Sequence, residues 1–370
     1  MEPKLMWMVS AVAVVAWVGC GDLELTYAAQ GLVGCDDMTC SNSLDLPAQV
    51  LASSVALVTP GPVERGGGSP LPPDELGGFH ELNLSGVPNR QGIWIKTVNG
   101  HAQIGKNNQM YDLKVQHGRL IGLAGTTVLQ AEDLVGAEIG FGPRPGESHH
   151  TAPRMHIDGV RRFAMPFDQP GDVEVYRITL KALRVPAAPL CAAVDHAQGM
   201  ESGEVVVFEG DRIDVERKTM GLQPEPDWFN LGCAGSALSK LYFMGETVAT
   251  QANPLDDASW QERQAMLKML VADYCGTGLA FTVVGEPLLW QGGRVSYALP
   301  PLDLEARWNA NGAICLGTPR LAIYPAPTSG FSADIMTDIA ARCGERMPPP
   351  CANTDLLDYD GAIVVSGNRP

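Results

Sequence analysis

Tyr111-Asp112-Leu113-Lys114-Val115-Gln116-His117-Gly118 alternates apolar with polar side chains and then runs into a turn. Successive side chains of a strand point to opposite faces, so Tyr111, Leu113 and Val115 share one buried face and His117-Gly118 closes the strand. The same period recurs outward from this stretch. Ile93 and Ile95 flank Trp94, Val173 to Leu180 forms another strand, and Gly118 to Gly125 reads as turns between strands. Val205 to Phe208 before Glu209-Gly210, and Phe281 to Val284 before Gly285, add hairpin-like punctuation. The 41 Gly and 28 Pro among 370 residues favour many short elements joined by frequent turns.

Three stretches carry helical spacing instead. Ser259 and Glu262 form a capping box, followed by the apolar stripe Leu267, Leu270, Val271 and Tyr274, with Gly276 as the stop and Cys275 at the helix C-terminus. A second helix is predicted from about Asn230 to Phe243, ended by Gly245, and a third from Ser332 to Cys343. Strands that dominate, with about three helices inserted late, predict an α+β, mainly β fold braced by disulfides rather than alternating βαβ units.

The N-terminus reads as an export signal. Lys4 precedes an uncharged stretch from Leu5 to Val18, which is shorter than the roughly 20 residues needed to span a bilayer. Val18-Gly19-Cys20 resembles a bacterial lipobox, with Trp17 where leucine is usual, and implies acylation of Cys20 after cleavage of a signal peptide at 1–19. The expected organisation is a lipidated segment 20–51, a Pro/Gly-rich tether 52–78, a domain at 79–352 and a tail at 353–370. The domain divides into a strand-rich half, 79–184, and a cysteine-containing half, 185–352. This places the protein in the cell envelope, lipid-anchored in the outer membrane and facing periplasm or exterior. A bilayer holds the acyl chains.

Export decides how the remaining cysteines are read. Cys35, Cys40, Cys191, Cys233, Cys275, Cys315, Cys343 and Cys351 become disulfide candidates. Eight thiols allow 105 pairings, and loop closure favours the local pairs Cys35 with Cys40 and Cys343 with Cys351. Zinc at Cys35 and Cys40 lacks a second pair of soft ligands nearby. The net charge of −16 repels phosphate backbones, which argues against nucleic acid as a partner.

Ala272-Asp273-Tyr274-Cys275-Gly276 resembles the signature of the ADYC-domain family of exported proteins and lipoproteins of Gram-negative bacteria. Similar pieces surround it: Phe229 to Cys233, Ala237 to Lys240, Phe281-Thr282 with Gly285, Glu305 to Trp308, Gly312 to Cys315 with Arg320, and Cys343 with Pro350-Cys351. The likeness runs from about His80 to Ala352. The family pattern commonly has cysteines where Leu241 and Ala265 stand here, which suggests a lost bridge. The resemblance implies an exported domain without an established activity.

The chemistry of individual groups weighs against catalysis by the signature. A nucleophilic cysteine needs a stabilised thiolate, whereas the predicted helix C-terminus and Asp273 both favour the neutral thiol at Cys275. Tyr274 belongs to the apolar stripe and reads as core. His149, His150, His156 and Asp158 form a cluster in a Pro/Gly-rich loop with types suited to zinc, although their spacing selects no geometry. Cys191 with His196 makes a weak cysteine–histidine dyad, and Asp36-Asp37 and Asp256-Asp257 lack the alternating ligands of a calcium loop. No nucleotide-binding or hydrolase-elbow motif appears, and no cofactor is implied. The favoured function is a tethered, non-enzymatic envelope protein that binds a protein or glycan partner. The competing one is a metal-dependent exported hydrolase using His149, His150 and His156.

Overall fold

The computed structural model describes residues 81–90, 92–142, 152–164, 171–182, 185–191, 204–214, 217–233, 237–247, 259–282, 289–292, 303–323, 334–352 and 361–368. The expected leader, Cys20, Cys35, Cys40, the tether, His149, His150, His196 and Asp256-Asp257 lie outside them.

In chain order the strands before the first helix are β1 (Leu82–Asn83), β2 (Thr97–Val98), β3 (His101–Lys106), β4 (Gln109–Gln116), β5 (Arg119–Ala124), β6 (Thr127–Gln130), β7 (Glu138–Gly140), β8 (Arg154–Ala164), β9 (Asp172–Ala182), β10 (Val185–Pro189), β11 (Glu204–Gly210), β12 (Ile213–Asp214), β13 (Thr219–Met220) and β14 (Glu225–Cys233). Helices α1 (Ala237–Phe243) and α2 (Trp260–Leu270) follow. Then come β15 (Leu289–Gly292), β16 (Asp303–Asn309), β17 (Gly312–Leu316), α3 (Arg320–Ile323), α4 (Ile335–Cys343) and β18 (Val364–Asn368). The fold is mainly β, of the α+β class.

Twelve strands make one antiparallel sheet in the order β1-β14-β11-β9-β8-β7-β3-β4-β5-β6, with β10 paired to β9 and β2 to β3. Two-residue turns set its register. Asn99-Gly100, Asn107-Asn108 and His117-Gly118 all have positive φ at both positions, the backbone that matches strand twist in tight hairpins. A second sheet, β15-β18-β16-β17, stands at the C-terminal end of the chain.

The period of two explains how one set of strands serves two cores. Val205 and Val207 of β11 join Tyr176, Ile178, Phe229 and Leu231 in a cluster shared with β3 to β5. Val206 and Phe208 point the other way and join Val173 and Val175 against α1, α2 and Trp308. The β4–β5 turn is tied to this boundary: the Glu209 carboxylate accepts from the His117 and Gly118 amides at 2.7 and 3.1 Å.

Several expectations need correction. Asn230 to Cys233 is the end of β14, not helix: Phe229 and Leu231 face one core, while the Asn230 amide donates to Asp211 O at 2.6 Å. The described helix is α1, Ala237–Phe243. The capping box is present, with Glu262 N on Ser259 Oγ at 3.2 Å and Ser259 N on Glu262 Oε2 at 2.6 Å. However, α2 ends at Leu270 and Ala272 turns the chain at φ +51°, so Cys275 lies beyond the helix in a turn. Ile93 to Ile95 forms no strand, only a bridge from Ile95 to Phe141. Phe281 and Thr282 form no strand either, and Val283 and Val284 lie outside the described residues. The boundary at 184/185 falls inside the large sheet, because β9 pairs with both β10 and β11. The expected tail contains β18, whose five residues are all buried between β15 and β16.

Candidate functional site

The signature occupies the turn that leads out of α2. Asp273 is fully buried, and both of its carboxylate oxygens are engaged. Oδ1 accepts from Thr277 N at 3.0 Å, and Oδ2 accepts from Gly278 N at 2.7 Å and Lys268 Nζ at 2.6 Å. Lys268 in turn donates to Arg217 O at 2.8 Å, so the ion pair also anchors the loop before β13. Charge-assisted bonds to backbone amides fix a turn geometry that the local sequence alone would leave loose. Gly276 completes it at φ +67°, where a Cβ would lie 1.7 Å from Asn311 O. Only glycine allows that approach to the β16–β17 turn.

Tyr274 is 1 % exposed and stacks on Trp308 with ring centroids 5.2 Å apart. Its hydroxyl donates to Glu305 Oε1 at 2.6 Å. Glu305 is also held by Arg320, through Nε at 2.6 Å and through Nη2 at 2.9 Å to the second oxygen. Arg320 Nη2 reaches back to Met269 O at 2.9 Å and thereby caps the last turn of α2. Burial, and then the Glu305 charge, push the Tyr274 phenol well above its ordinary range.

Beside this network stands Lys240 of α1. It is 1 % exposed, and among the described residues its ammonium nitrogen has no hydrogen-bond partner. Burial, followed by the Arg320 charge, holds its pKa well below that of a free lysine. Leu241 and Ala265, where the family pattern commonly has cysteines, are both buried in the cluster where α1 meets α2. Lys240, Glu305 and Arg320 were legible only as pieces of a resemblance. Lys268 carried no separate signal in the sequence, because a lysine on a helix with an apolar stripe reads as solvated surface.

Cys275 is bonded to Cys343, at the end of α4. The predicted local pair of Cys343 with Cys351 is therefore corrected. Leu316 N donates to Pro349 O at 2.9 Å and Leu316 O accepts from Cys351 N at 3.2 Å, which brings Cys351 to Cys315 on β17. Cys191, on the loop after β10, joins Cys233 at the end of β14. The chemical consequence is specific: the Asp273 carboxylate, the Tyr274 hydroxyl and the Cys275 sulfur are each committed to a bond that holds the fold.

Of the histidine cluster, His156 and Asp158 fall within the described residues. His156 and Asp158 sit on β8, an eleven-residue strand, not on a loop. His156 Nδ1 lies 3.4 Å from Glu138 Oε1 and its Nε2 lies 3.6 Å from Asp158 Oδ1. Among the described residues no group of three or more His, Cys, Asp and Glu side chains is arranged to hold a metal ion.

A cleft of about 550 Å3 opens between the β3–β4 turn, β7 and the start of β8. Lys96, Lys106 and Arg154 line it together with Glu138 and the amide side chains of the turn. No single stretch of the chain hints at it, since its cations come from three separate segments.

No curated protein and no solved structure matches the chain. The family model of the ADYC domain matches residues 131–322, a span that contains the Lys240 helix, the signature turn, Glu305 and Arg320. With the motif, its buried partners and the family match in agreement, the chain belongs to the ADYC domain family.

Proposed function

We propose that this ADYC protein is an exported lipoprotein with a binding or structural role in the cell envelope, in which the signature builds the fold and performs no catalysis. In this reading Cys20 carries acyl chains after removal of the leader, and the segment 52–78 holds the domain off the bilayer. Several acyl chains on one cysteine give stable anchoring where a single chain gives only a marginal hold. The partner is a protein or a glycan, not a nucleic acid.

The observation that carries the reading is the oxidation of cysteine. All six described cysteines are paired, in loops of 42, 68 and 36 residues. Such bridges persist in oxidising compartments and are rare in a reducing cytosol. A signature whose polar atoms are bonded inward also has nothing left to offer a substrate.

Fractionation of a Gram-negative host tests the anchor. The wild-type protein is expected in the membrane fraction with acyl mass on Cys20, and Cys20→Ala is expected to be released in soluble, disulfide-bonded form. Recovery of the wild type from the cytosol with reduced thiols and an intact leader would overturn the proposal.

A further inference from the structure

The cleft beside β7 is built from elements other than those that carry the signature. Its volume of about 550 Å3 lies within the roughly 300–1,000 Å3 of small-ligand sites. Glycines keep it open. A Cβ on Gly136 would meet nothing within 4 Å, and one on Gly140 would touch only Lys96 carbons at 3.9 Å.

The charge of the lining is opposite to that of the whole chain. Lys96, Lys106 and Arg154 face one carboxylate, Glu138, on a protein of net charge −16. Glu138 is already opposed by Arg154 at 3.2 Å and by Lys181 at 4.0 Å, so it offsets little of the remaining charge. Lys106 donates to Asp133 O at 2.5 Å, a neutral carbonyl that leaves its charge uncompensated. The backbone of Lys96 is bonded to Gly140 O and Gln103 N, while its ammonium has no hydrogen-bond or ion-pair partner among the described residues. Asn107, Asn108 and Gln109 supply exposed amides, and the rest of the lining is apolar or glycine, Met110 and Phe141 among it.

We propose that this cleft binds a small anionic saccharide, a sugar ring bearing a carboxylate. The inference rests on reading the domain as an envelope binding module and names the ligand class of that module. Side-chain amides donate to and accept from ring hydroxyls, while a guanidinium and two ammonium groups recognise the acid. Size is limited by the global field, because a long polyanion would be repelled by the rest of the surface. The sugar acid is either free or the end residue of an envelope polysaccharide.

Calorimetric titration of the purified full chain tests this, with glucuronate and galacturonate as monomers, a short galacturonate oligomer, galactose as the uncharged ring, and acetate and inorganic phosphate as charge without a ring. Saturable binding of a sugar acid is expected, at least about tenfold tighter than galactose, acetate or phosphate, and weakened by added salt. The double variant Lys96→Gln/Arg154→Gln is expected to lose about tenfold or more while keeping the wild-type melting temperature, since both side chains are exposed. Tighter binding of the monomer identifies a free sugar acid, and tighter binding of the oligomer identifies a polysaccharide end. No binding of either acid or the oligomer up to about 10 mM, equal binding of galactose or phosphate, or an unaffected double variant would each overturn the proposal. Because the titration uses purified protein, its failure leaves the anchoring experiment untouched, and the reverse also holds.

Discussion

Asp273 and Lys240 are both buried charge-bearing residues in the family segment, yet they act on stability in opposite directions. Asp273 is matched by Lys268 and two backbone amides, so removing it leaves an ammonium and two N–H groups stranded. Asp273→Ala is expected to cost about 3–5 kcal/mol, read from urea unfolding. Lys240 has no such match, and Lys240→Met should stabilise the protein by roughly 1–3 kcal/mol at neutral pH. The sign of the pH dependence follows. The folded amine has a lowered pKa, so the unfolded chain binds the extra proton and wild-type stability rises as pH climbs toward the ordinary lysine value of roughly 10.4. The advantage of Lys240→Met therefore shrinks from pH 7 to pH 10. An advantage that is constant across that range would mean that Lys240 is charged in the fold. Tyr242, pushed up to about 12 by burial, is common to both proteins and cancels in the comparison. None of this energetic contrast is visible in the letters, because Ala237 to Lys240 records a residue type and not its burial.

At the scale of elements, the alternation in β4 was legible because one face of the strand lies in a core, whereas β11, with both faces buried, was marked only by its apolar run and the Glu209-Gly210 turn. Asn99-Gly100 is as strong a hairpin word as His117-Gly118 and could have marked β2 and β3. The helix placed at Asn230 failed for a physical reason: β14 is buried on both faces at its end, with Asn230 buried among apolar neighbours, so Trp228 to Cys233 shows no period of two. The signature turn failed differently. The apolar stripe of α2 continues through Val271 and Tyr274, so nothing in the pattern reveals that Ala272 leaves helical space. Gly276→Ala tests that turn. A Cβ there collides with the Asn311 carbonyl, and the loss should exceed about 3 kcal/mol in thermal unfolding. Gly100→Ala, in the β2–β3 turn, also stands at positive φ (+80°) but with open space around it, and should cost only about 1–2 kcal/mol. Equal losses at the two sites would show that contact with the β16–β17 turn adds nothing.

Over the whole molecule, the three disulfides link segments that lie 36 to 68 residues apart in sequence. Cys275–Cys343 joins the signature turn to α4, and Cys315–Cys351 joins β17 to the chain after it. Replacing both cysteines of either pair by alanine should cost about 2–5 kcal/mol, measured by urea unfolding without reductant. Alkylation of the denatured, unreduced protein should label none of these six sulfurs. Sequence could show that bridges were due but not which ones, since Cys343 and Cys351, close together in the chain, bond to Cys275 and Cys315 instead of to each other. The family match shows the same mismatch between sequence and space, because it stops at residue 322 whereas β18 is an inner strand of the second sheet. Trp308 Nε1 donates to Ser366 Oγ at 2.8 Å, and the Asn368 amide donates to Thr318 O at 2.7 Å. A clone cut at the edge of the family match would therefore encode a sheet split down its middle, with an indole and a carbonyl left unsatisfied. The reading frame has to run through Asn368 for the product to be worth purifying.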